Sequence, residues 1–340
     1  MKTFYHPSQK LHHPQTYLSR GQMRTPQEVP QRVDGILQGL DRLGLTVQAP
    51  VDHGLEPIAA VHDAGYLAFL QSAHQQWKQI PEDWGNEVIS NIFVREPNPL
   101  RGILGKAARY LADGSCPVGE HTWQSSYWAA QSAISATKAV LEGESKSYAL
   151  CRPPGHHARY DAAGGFCYIN YAAVAAELLK TRFNKIAVLD TDMHHGQGTQ
   201  EIFYDRNDVL YVSVHGDPTN FYPVVAGFED ETGSGEGLGF NLNLPMPHGS
   251  TETFFFAQVT RALEAVERFK PDALVFSHGF DIYKDDPQSK VGVTTEGFGE
   301  LGKAVASLGL PTVVIQEGGY DLASMPDNTV SFFSGLLGRQ

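Results

Sequence analysis

Cysteine is scarce in this sequence of 340 residues. The three cysteines, Cys116, Cys151 and Cys167, do not form a CxxC motif. This pattern argues against a disulfide framework and a cysteine-based zinc ribbon, and it is typical of a reducing compartment. The sequence also lacks a run of about 18 apolar residues and an apolar signal core near its start. We therefore expect a cytoplasmic protein that does not enter a membrane.

Basic residues are also in the minority. The 26 lysines and arginines are outnumbered by 38 aspartates and glutamates, which gives a formal net charge of −12. Such a balance disfavours nucleic acid and anionic membranes as partners and is compatible with a cationic substrate. The 41% of apolar residues is enough for a substantial core, and no repeat or low-complexity tract is present. A single α/β domain can reach the length of residues 1–340.

Short β-branched runs alternate with longer helical segments through most of the chain. The predicted strands cover residues 147–151, 185–190, 209–215, 272–278 and 311–316. The predicted helices cover residues 124–142, 170–182, 251–269 and 295–308, with two more at 29–43 and 60–73. This alternation predicts an α/β fold in which a parallel sheet is covered by helices on both faces.

Residues 71–123 break this rhythm, because they mix Trp, Pro, Gly and both signs of charge. A loop of this length without structure of its own is uncommon in a compact domain. We therefore expect an insertion with short elements of its own, packed over the domain or against a partner subunit.

Polar clusters accompany the ends of the five predicted strands. In chain order they are "RPPGHHA", "DTDMHH", His215, "HGFD" and "EGGYD". In open α/β folds, ligands bind at the carboxyl edge of the parallel sheet. The sequence therefore predicts one active site at this edge.

The second of these clusters contains residue types that bind metals. If the chain is still extended there, Asp190, Asp192 and His194 share one face, since alternate residues of a strand do. A catalytic metal needs three protein ligands and an open position. Asp192 and His194 supply two ligands, and Asp281 of "HGFD" is the best placed third. Such a set suits Zn²⁺ and would also accept Fe²⁺.

Other side chains at the same edge suit proton transfer and oxyanion binding. One histidine of the pair His156-His157, which follows the rigid "PPG" turn, is a candidate general base. Asp190 is placed to fix the tautomer of a histidine. Tyr320, after "EGG", is a candidate hydrogen-bond donor to a developing oxyanion.

Taken in order, the motifs carry a family resemblance. They are "RPPGHHA", "GGFCYINYAAVAA", "VLDTDMHHGQGTQEIF", "GFD" followed by "DP", and "EGGY". The sequence resembles the metal-dependent deacetylases, which include histone-deacetylase-like amidohydrolases, acetoin-utilisation proteins and acetylpolyamine amidohydrolases. This resemblance implies the arginase–deacetylase fold, a single α/β domain with an eight-stranded parallel sheet flanked by helices.

The resemblance also implies roles for individual residues. The metal ligands would be Asp192, His194 and Asp281. The catalytic residues would be His157 as general base and then general acid, His156 as its electrostatic partner on Asp190, and Tyr320 as oxyanion donor. The substrate would contact the Gly165 carbonyl, the tunnel walls Phe166 and Tyr222, and Gly318. A structural K⁺ would use Asp190, Asp192, His194, Ser213 and Val214, several of them through backbone oxygens.

Two residues depart from the family pattern. Gln197 in "HHGQG" stands where family members usually have Asp or Asn, at the position that touches the general-base histidine. Because Gln carries no charge, it does not raise the pKa of that histidine through an ion pair. His278 stands where small or apolar residues are commoner.

The segment 71–123 most resembles that of the acetylpolyamine amidohydrolases, where an insertion forms a dimer interface and narrows the active-site mouth. We therefore expect a homodimeric deacetylase of small cationic acetylated amines, such as acetylputrescine, acetylcadaverine and acetylspermidine. The segment offers six acidic residues for the distal ammonium groups, namely Glu82, Asp83, Glu87, Glu96, Asp113 and Glu120. It also has five basic ones, namely Lys78, Arg95, Arg101, Lys106 and Arg109.

Three alternatives stay open from the sequence. A deacetylase of acetyl-lysine in proteins or peptides would share the chemistry but would favour an open mouth. An arginase-like ureohydrolase with two Mn²⁺ would need a D-x-H-x-D motif and an aspartate at position 283, where this chain has Tyr283. A binding protein without catalysis would not need intact His157, Asp281 and Tyr320. These comparisons favour a deacetylase with one catalytic metal.

Overall fold

The computed structural model describes residues 1–94 and 100–339. Eight strands form one sheet: β1 (Lys2–Phe4), β2 (Val47–Gln48), β3 (Lys146–Ala149), β4 (Ile186–Asp190), β5 (Val209–Gly216), β6 (Asn241–Met246), β7 (Ala273–His278) and β8 (Thr312–Gln316). Their spatial order is β2-β1-β3-β8-β7-β4-β5-β6. Every neighbouring pair is parallel, so all carboxyl ends lie at one edge.

Ten α-helices accompany the sheet in the described part of the chain. They are α1 (Gln31–Arg42), α2 (Glu56–Ala59), α3 (Ala64–Trp77), α4 (Gly102–Tyr110), α5 (Thr122–Leu141), α6 (Tyr171–Leu179), α7 (Gln197–Phe203), α8 (Glu252–Phe269), α9 (Thr295–Ser307) and α10 (Met325–Leu337). Strands Tyr17–Ser19 and Gln22–Arg24 form a separate antiparallel hairpin. None of the helices among residues 1–94 and 100–339 is both long and apolar enough to cross a bilayer.

Alternate residues of each central strand enter two different hydrophobic cores. In β4, Ile186 and Val188 pack on one face, and Ala187 and Leu189 pack on the other. Helices α3 to α7 cover the first face, while α1 and α8 to α10 cover the second. This is the arrangement expected for strands that are apolar throughout, because both of their faces are buried.

The five strands predicted from β-branched runs are confirmed to within two residues at each end. Strands β1, β2 and β6 were not predicted from the sequence. The first two have three and two residues, too short for a periodic pattern. The third, "NLNLPM", lies at the sheet edge, where Pro245 is tolerated because one side of the strand needs no hydrogen-bonded neighbour.

The segment 71–123 contains helix α4 and an antiparallel bridge between Val88 and Val118. Its expected start at residue 71 lies within α3, which continues to Trp77. That helix begins at Ala64 rather than at residue 60, because the Asp63 side chain accepts a hydrogen bond from the Tyr66 amide and caps it.

Candidate active site

The loops that follow β3, β4, β7 and β8 converge because these strands are neighbours in the sheet, in the order β3-β8-β7-β4. Asp190 at the end of β4 is paired in register with Ser277 on one side and Ser213 on the other. The residues beyond these ends therefore meet above the middle of the sheet. This explains how motifs far apart in the sequence form one site.

Asp192, His194 and Asp281 lie together and are buried, with one ligand atom from each within 4.8 Å of the others. The Nδ1 atom of His194 is 3.2 Å from an Asp281 oxygen and 3.4 Å from an Asp192 oxygen. Backbone amides hold the carboxylates: Gly318 N donates to Asp192 at 2.8 Å, and Met193 N donates to Asp281 at 2.9 Å. The three predicted metal ligands are thus brought together and aimed at a common point.

The pKa values of Asp281 and His194 indicate that this cluster favours a bound cation. Burial and the neighbouring Asp192 carboxylate raise the pKa of Asp281 to about 7. Burial lowers the pKa of His194, but the two carboxylates outweigh it and raise that pKa to about 9. Asp281 and His194 therefore hold protons in this buried space. A divalent metal bound to the same oxygen and nitrogen atoms would replace these protons.

His156 lies behind this cluster on Asp190. Its Nδ1 is 2.9 Å from Asp190 Oδ2, and its Nε2 is 3.6 Å from an Asp192 oxygen. Burial lowers the pKa of His156, but Asp190, Asp192 and Glu317 outweigh it and raise the pKa to about 10. The sequence-based expectation that Asp190 contacts a histidine of the pair agrees with this geometry.

His157 faces the cavity and contacts Gln197. Its Nδ1 is 2.6 Å from the amide oxygen of Gln197. Burial and the positive charges of His156 and His194 lower the pKa of His157 well below its usual value. A neutral imidazole with a free Nε2 is the form that a general base requires.

Tyr320 lines the same cavity and is 8% exposed. Its backbone amide donates to Asp286 Oδ2 at 2.6 Å, and the guanidinium of Arg32 lies 4.8 Å from the centre of its ring. Arg32 also donates to the carbonyls of Gly319 and Glu317. The loop that carries Tyr320 is therefore fixed from two sides, and its hydroxyl is protonated because burial raises the pKa well above its usual value.

The cavity has a volume of about 420 Å³. It is lined by Tyr17, Leu18, Ser19, Arg20, Gly21, Phe93, Ala112, Asp113, Gly114, Ser115, His157, Gly165, Phe166, His194, Asn220, Phe221, Tyr222, Val224, Gln288 and Tyr320. Glycine is required at 165, since φ is +54° and a Cβ would approach His157 Cδ2 to 2.3 Å. Gly165, Phe166 and Tyr222 thus all line the cavity, and their contacts with a substrate stay a prediction.

Three other predicted residues, Gly318, Ser213 and Val214, are not among those that line the cavity. The Gly318 amide instead holds Asp192. Ser213 and Val214 are buried on β5 beside Asp190. The role of Asp190, Ser213 and Val214 in a K⁺ site stays a prediction.

His278 and Cys167 are both buried side chains that take no part in the proposed chemistry. His278 is buried with its ring stacked on Phe332 at 3.8 Å, and burial lowers its pKa to about 3. It therefore packs as a neutral aromatic ring. Cys167 is buried, and burial raises the pKa of its thiol well above the usual value, which argues against a nucleophilic role.

Sequence reasoning missed three contributors to the site. The Tyr17–Arg24 hairpin supplies one wall of the cavity; its signal was "RG", since Arg20 and Gly21 both have positive φ, as a type I′ turn requires. Asp286, which holds Tyr320, belongs to the quoted "DP" of the family motif. Glu317, the first residue of the quoted "EGGY", accepts from Gly155 N at 2.7 Å and His156 N at 3.1 Å, and the motif does not indicate these partners.

The acidic residues proposed for ammonium binding are not equivalent. Asp113 is the one described member of that set that lines the cavity. Glu87 instead accepts a hydrogen bond from the Gln15 amide. Glu96 and Arg95 lie outside the described residues.

Comparison with known proteins agrees with the motifs. Residues 26–336 match the histone deacetylase domain family. The chain is 64% identical over 336 residues to the acetylpolyamine amidohydrolase of Burkholderia pseudomallei, covering 99% of this chain and 98% of that protein. It is 39% identical over 345 residues to acetylpolyamine amidohydrolase 1 of Pseudomonas aeruginosa, covering 99% of each.

A solved structure gives the same result for the fold. The crystal structure of acetylpolyamine aminohydrolase from Burkholderia pseudomallei superposes with a TM-score of 0.97 and covers 98% of each chain. The fold predicted from the resemblance, an α/β domain with an eight-stranded parallel sheet, is thereby confirmed. The converging strand ends, the buried donor cluster and these similarities together show that the chain belongs to the histone deacetylase family.

Proposed function

We propose that this chain hydrolyses acetylated polyamines, such as acetylputrescine, acetylcadaverine and acetylspermidine, to the free amine and acetate. The observation that carries the proposal is that His157, Tyr320 and His194 of the buried Asp192–His194–Asp281 cluster line one cavity. Membership of the family supports the deacetylase chemistry. The names of two similar full-length relatives support the polyamine substrate.

Asp192, His194 and Asp281 would hold the catalytic metal, which we assign as Zn²⁺, with Fe²⁺ as the alternative for this oxygen-rich set. When bound, the metal would polarise the acetyl carbonyl and acidify a water molecule. A structural K⁺ would lie below, among Asp190, Asp192, His194, Ser213 and Val214. The register pairing of Asp190 with Ser213 supports this second site.

The histidine pair would move the proton. His157 would accept a proton from the attacking water at Nε2, because Gln197 occupies its Nδ1. It would then donate that proton to the departing amine nitrogen. His156, held in its charged form on Asp190, would stabilise the negative charge that develops nearby.

Two groups would bind the acetyl amide itself. The protonated hydroxyl of Tyr320 would donate a hydrogen bond to the carbonyl oxygen as it becomes an oxyanion. The Gly165 carbonyl would accept a hydrogen bond from the amide N–H and so orient the scissile bond. Phe166 and Tyr222 would enclose the alkyl chain and exclude bulky groups.

Residues at the mouth of the active-site cavity would select small cationic substrates. Asp113 adds a carboxylate to the cavity wall, and residues 71–123, from which it projects, would form an insertion at the active-site mouth and at the interface of a homodimer. A net charge of −12 supports attraction of cationic substrates and disfavours nucleic acid and anionic membranes. We place the enzyme in the cytoplasm, where free thiols such as its three buried cysteines persist.

The test is a side-by-side measurement of kcat/KM on the Zn²⁺-loaded enzyme. The substrates are acetylputrescine, acetylcadaverine, an acetylspermidine and an acetyl-lysine peptide. The proposal predicts much faster turnover of the three small amines than of the peptide. Faster peptide turnover would assign the chain to the protein deacetylases, and no turnover of any substrate would refute the proposed chemistry.

A further inference from the structure

Gln197 does not by itself select one tautomer of His157, as an aspartate at the same position would. A carboxylate can only accept a hydrogen bond, so it always selects the histidine tautomer with the proton on Nδ1. An amide can present either its oxygen or its NH₂ group to His157. If the NH₂ group faced Nδ1, the proton would lie on Nε2, and His157 could not act as a base toward the cavity.

A chain of hydrogen bonds leads from Gln197 through Tyr222 to Asp113 in the cavity wall. The Gln197 amide nitrogen donates to the hydroxyl of Tyr222 at 3.2 Å. That hydroxyl donates to Asp113 Oδ2 at 2.7 Å. The same carboxylate oxygen accepts from Gly165 N at 3.1 Å, and the other accepts from Ser115 N at 2.8 Å.

The direction of this chain follows from its last member. Both Asp113 oxygens already accept hydrogen bonds from backbone amides, so Asp113 is the acceptor and Tyr222 is the donor. A hydroxyl that has donated its one proton can only accept from the other side. The group of Gln197 that faces Tyr222 is therefore its NH₂, and its oxygen faces His157. At 2.6 Å this oxygen receives the Nδ1 proton, and Nε2 is free.

We propose that Asp113 and Tyr222 are positioning residues that set the tautomer of His157 by fixing the orientation of the Gln197 amide. Asp113 lies in the segment 71–123, so the mouth of the cavity is coupled to the proton-transfer residue. The catalytic consequence rests on the proposed function, but the tautomer itself can be observed without substrate or metal.

The direct test is ¹⁵N NMR of the imidazoles in the metal-free protein, with the His157 signals identified by their loss in His157→Gln. In the unsubstituted chain His157 should be in the Nδ1–H form. Tyr222→Phe removes the acceptor for the amide NH₂ with little change in shape. Asp113→Asn provides an NH₂ group that can donate to Tyr222. The hydrogen bonds between residue 113 and His157 can then run in the opposite direction. Each variant should show a mixture of tautomers, whereas an unchanged Nδ1–H form in both would refute the proposal.

A second test distinguishes a role of Tyr222 in positioning Gln197 from a role only in packing the cavity wall. Tyr222→Phe should lower kcat about five- to tenfold, since one hydrogen bond holds the productive orientation, and should change KM little. In the Gln197→Glu background, where the side chain has two acceptor oxygens, the same substitution should change kcat less than about twofold. Equal losses in both backgrounds would make Tyr222 a packing residue only.

A matched control is Tyr127→Phe, which removes another tyrosine hydroxyl bonded to a carboxylate, that of Asp52, away from the cavity. It should leave the His157 signals unchanged, and a shift there would mean that the NMR change is not specific. If no acetylated amine is turned over but the tautomer responds as predicted, the proposed function fails and the inference on the tautomer stands.

Discussion

At the scale of single residues, the site is a set of buried groups whose protons are controlled by neighbours. His156 and His157 are adjacent in the chain, yet their pKa values are displaced in opposite directions. Burial lowers both pKa values, but the Asp190, Asp192 and Glu317 carboxylates outweigh it at His156. At His157 no carboxylate partner offsets burial, and the positive charges of His156 and His194 lower the pKa further. His156 therefore keeps its positive charge, whereas His157 remains neutral and available for proton transfer.

Removal of one carboxylate should abolish metal binding. In Asp281→Ala, the remaining Asp192 and His194 provide two ligands where a catalytic site normally has three. We expect metal content after Zn²⁺ loading and dialysis to fall from about one per chain to near zero, measured by elemental analysis. Asp230→Ala, at an exposed acidic position, is the control. Retention of a full equivalent by Asp281→Ala would place the third ligand elsewhere.

The Tyr320 hydroxyl should matter for turnover rather than for binding. It is expected to contact the substrate oxygen most strongly when that oxygen becomes negative, so Tyr320→Phe should lower kcat about 100-fold or more. KM should remain nearly constant, since a transition-state interaction does not contribute to ground-state binding. Steady-state kinetics on acetylputrescine measure both values. A rise in KM with unchanged kcat would contradict this role.

At the scale of elements, strand order decides which loops form the site. The motifs after β3 and β8 are separated by more than 150 residues of sequence but follow adjacent strands. The strand cores and four of the motif-bearing loops could be predicted, because apolar runs and polar clusters are local patterns. The Tyr17–Arg24 hairpin could not be assigned to the cavity, since no local pattern states where a surface hairpin will pack.

This hairpin brings a positive charge to the cavity mouth through Arg20. Arg20→Asn keeps a residue that tolerates the positive φ of 52° at this turn. Loss of the charge should raise kcat/KM for acetylspermidine about two- to fivefold at low salt, as expected for exposed charges. The gain should shrink at high salt. A neutral acetylated alkylamine should show no change, and an equal gain with it would mean that the hairpin acts by shape.

At the scale of the whole molecule, several buried histidines are neutral in the folded state and make stability depend on pH. His62 is an example outside the metal cluster: its Nε2 accepts from Asn170 N at 2.9 Å, and its Nδ1 is 3.2 Å from the Tyr160 carbonyl. Burial lowers its pKa from 6.5 to about 4. The unfolded chain therefore binds more protons than the folded one between these two values, and stability falls as pH falls through that window.

Replacement of His62 should weaken this dependence. His62→Gln is expected to be less stable than the unsubstituted chain near neutral pH, but the difference should shrink by about 1.4 kcal/mol for each pH unit below 6.5. Urea unfolding at several pH values between about 7 and about 5 measures the free energy of unfolding. The exposed His13→Gln serves as control. Parallel pH curves for His62→Gln and the unsubstituted chain would contradict the assignment.

The sequence by itself determined the chemical character of this protein. Its order of motifs, its apolar strand runs and its paired Asp and His residues are local, and local patterns of side chains decide both secondary structure and the available ligands. Only the tertiary structure decided how Gln197 is oriented, because Tyr222 and Asp113, which orient it, are 109 residues apart. Such partners are selected by the order of strands in the sheet and by the packing of the mouth, which no spacing in the chain encodes.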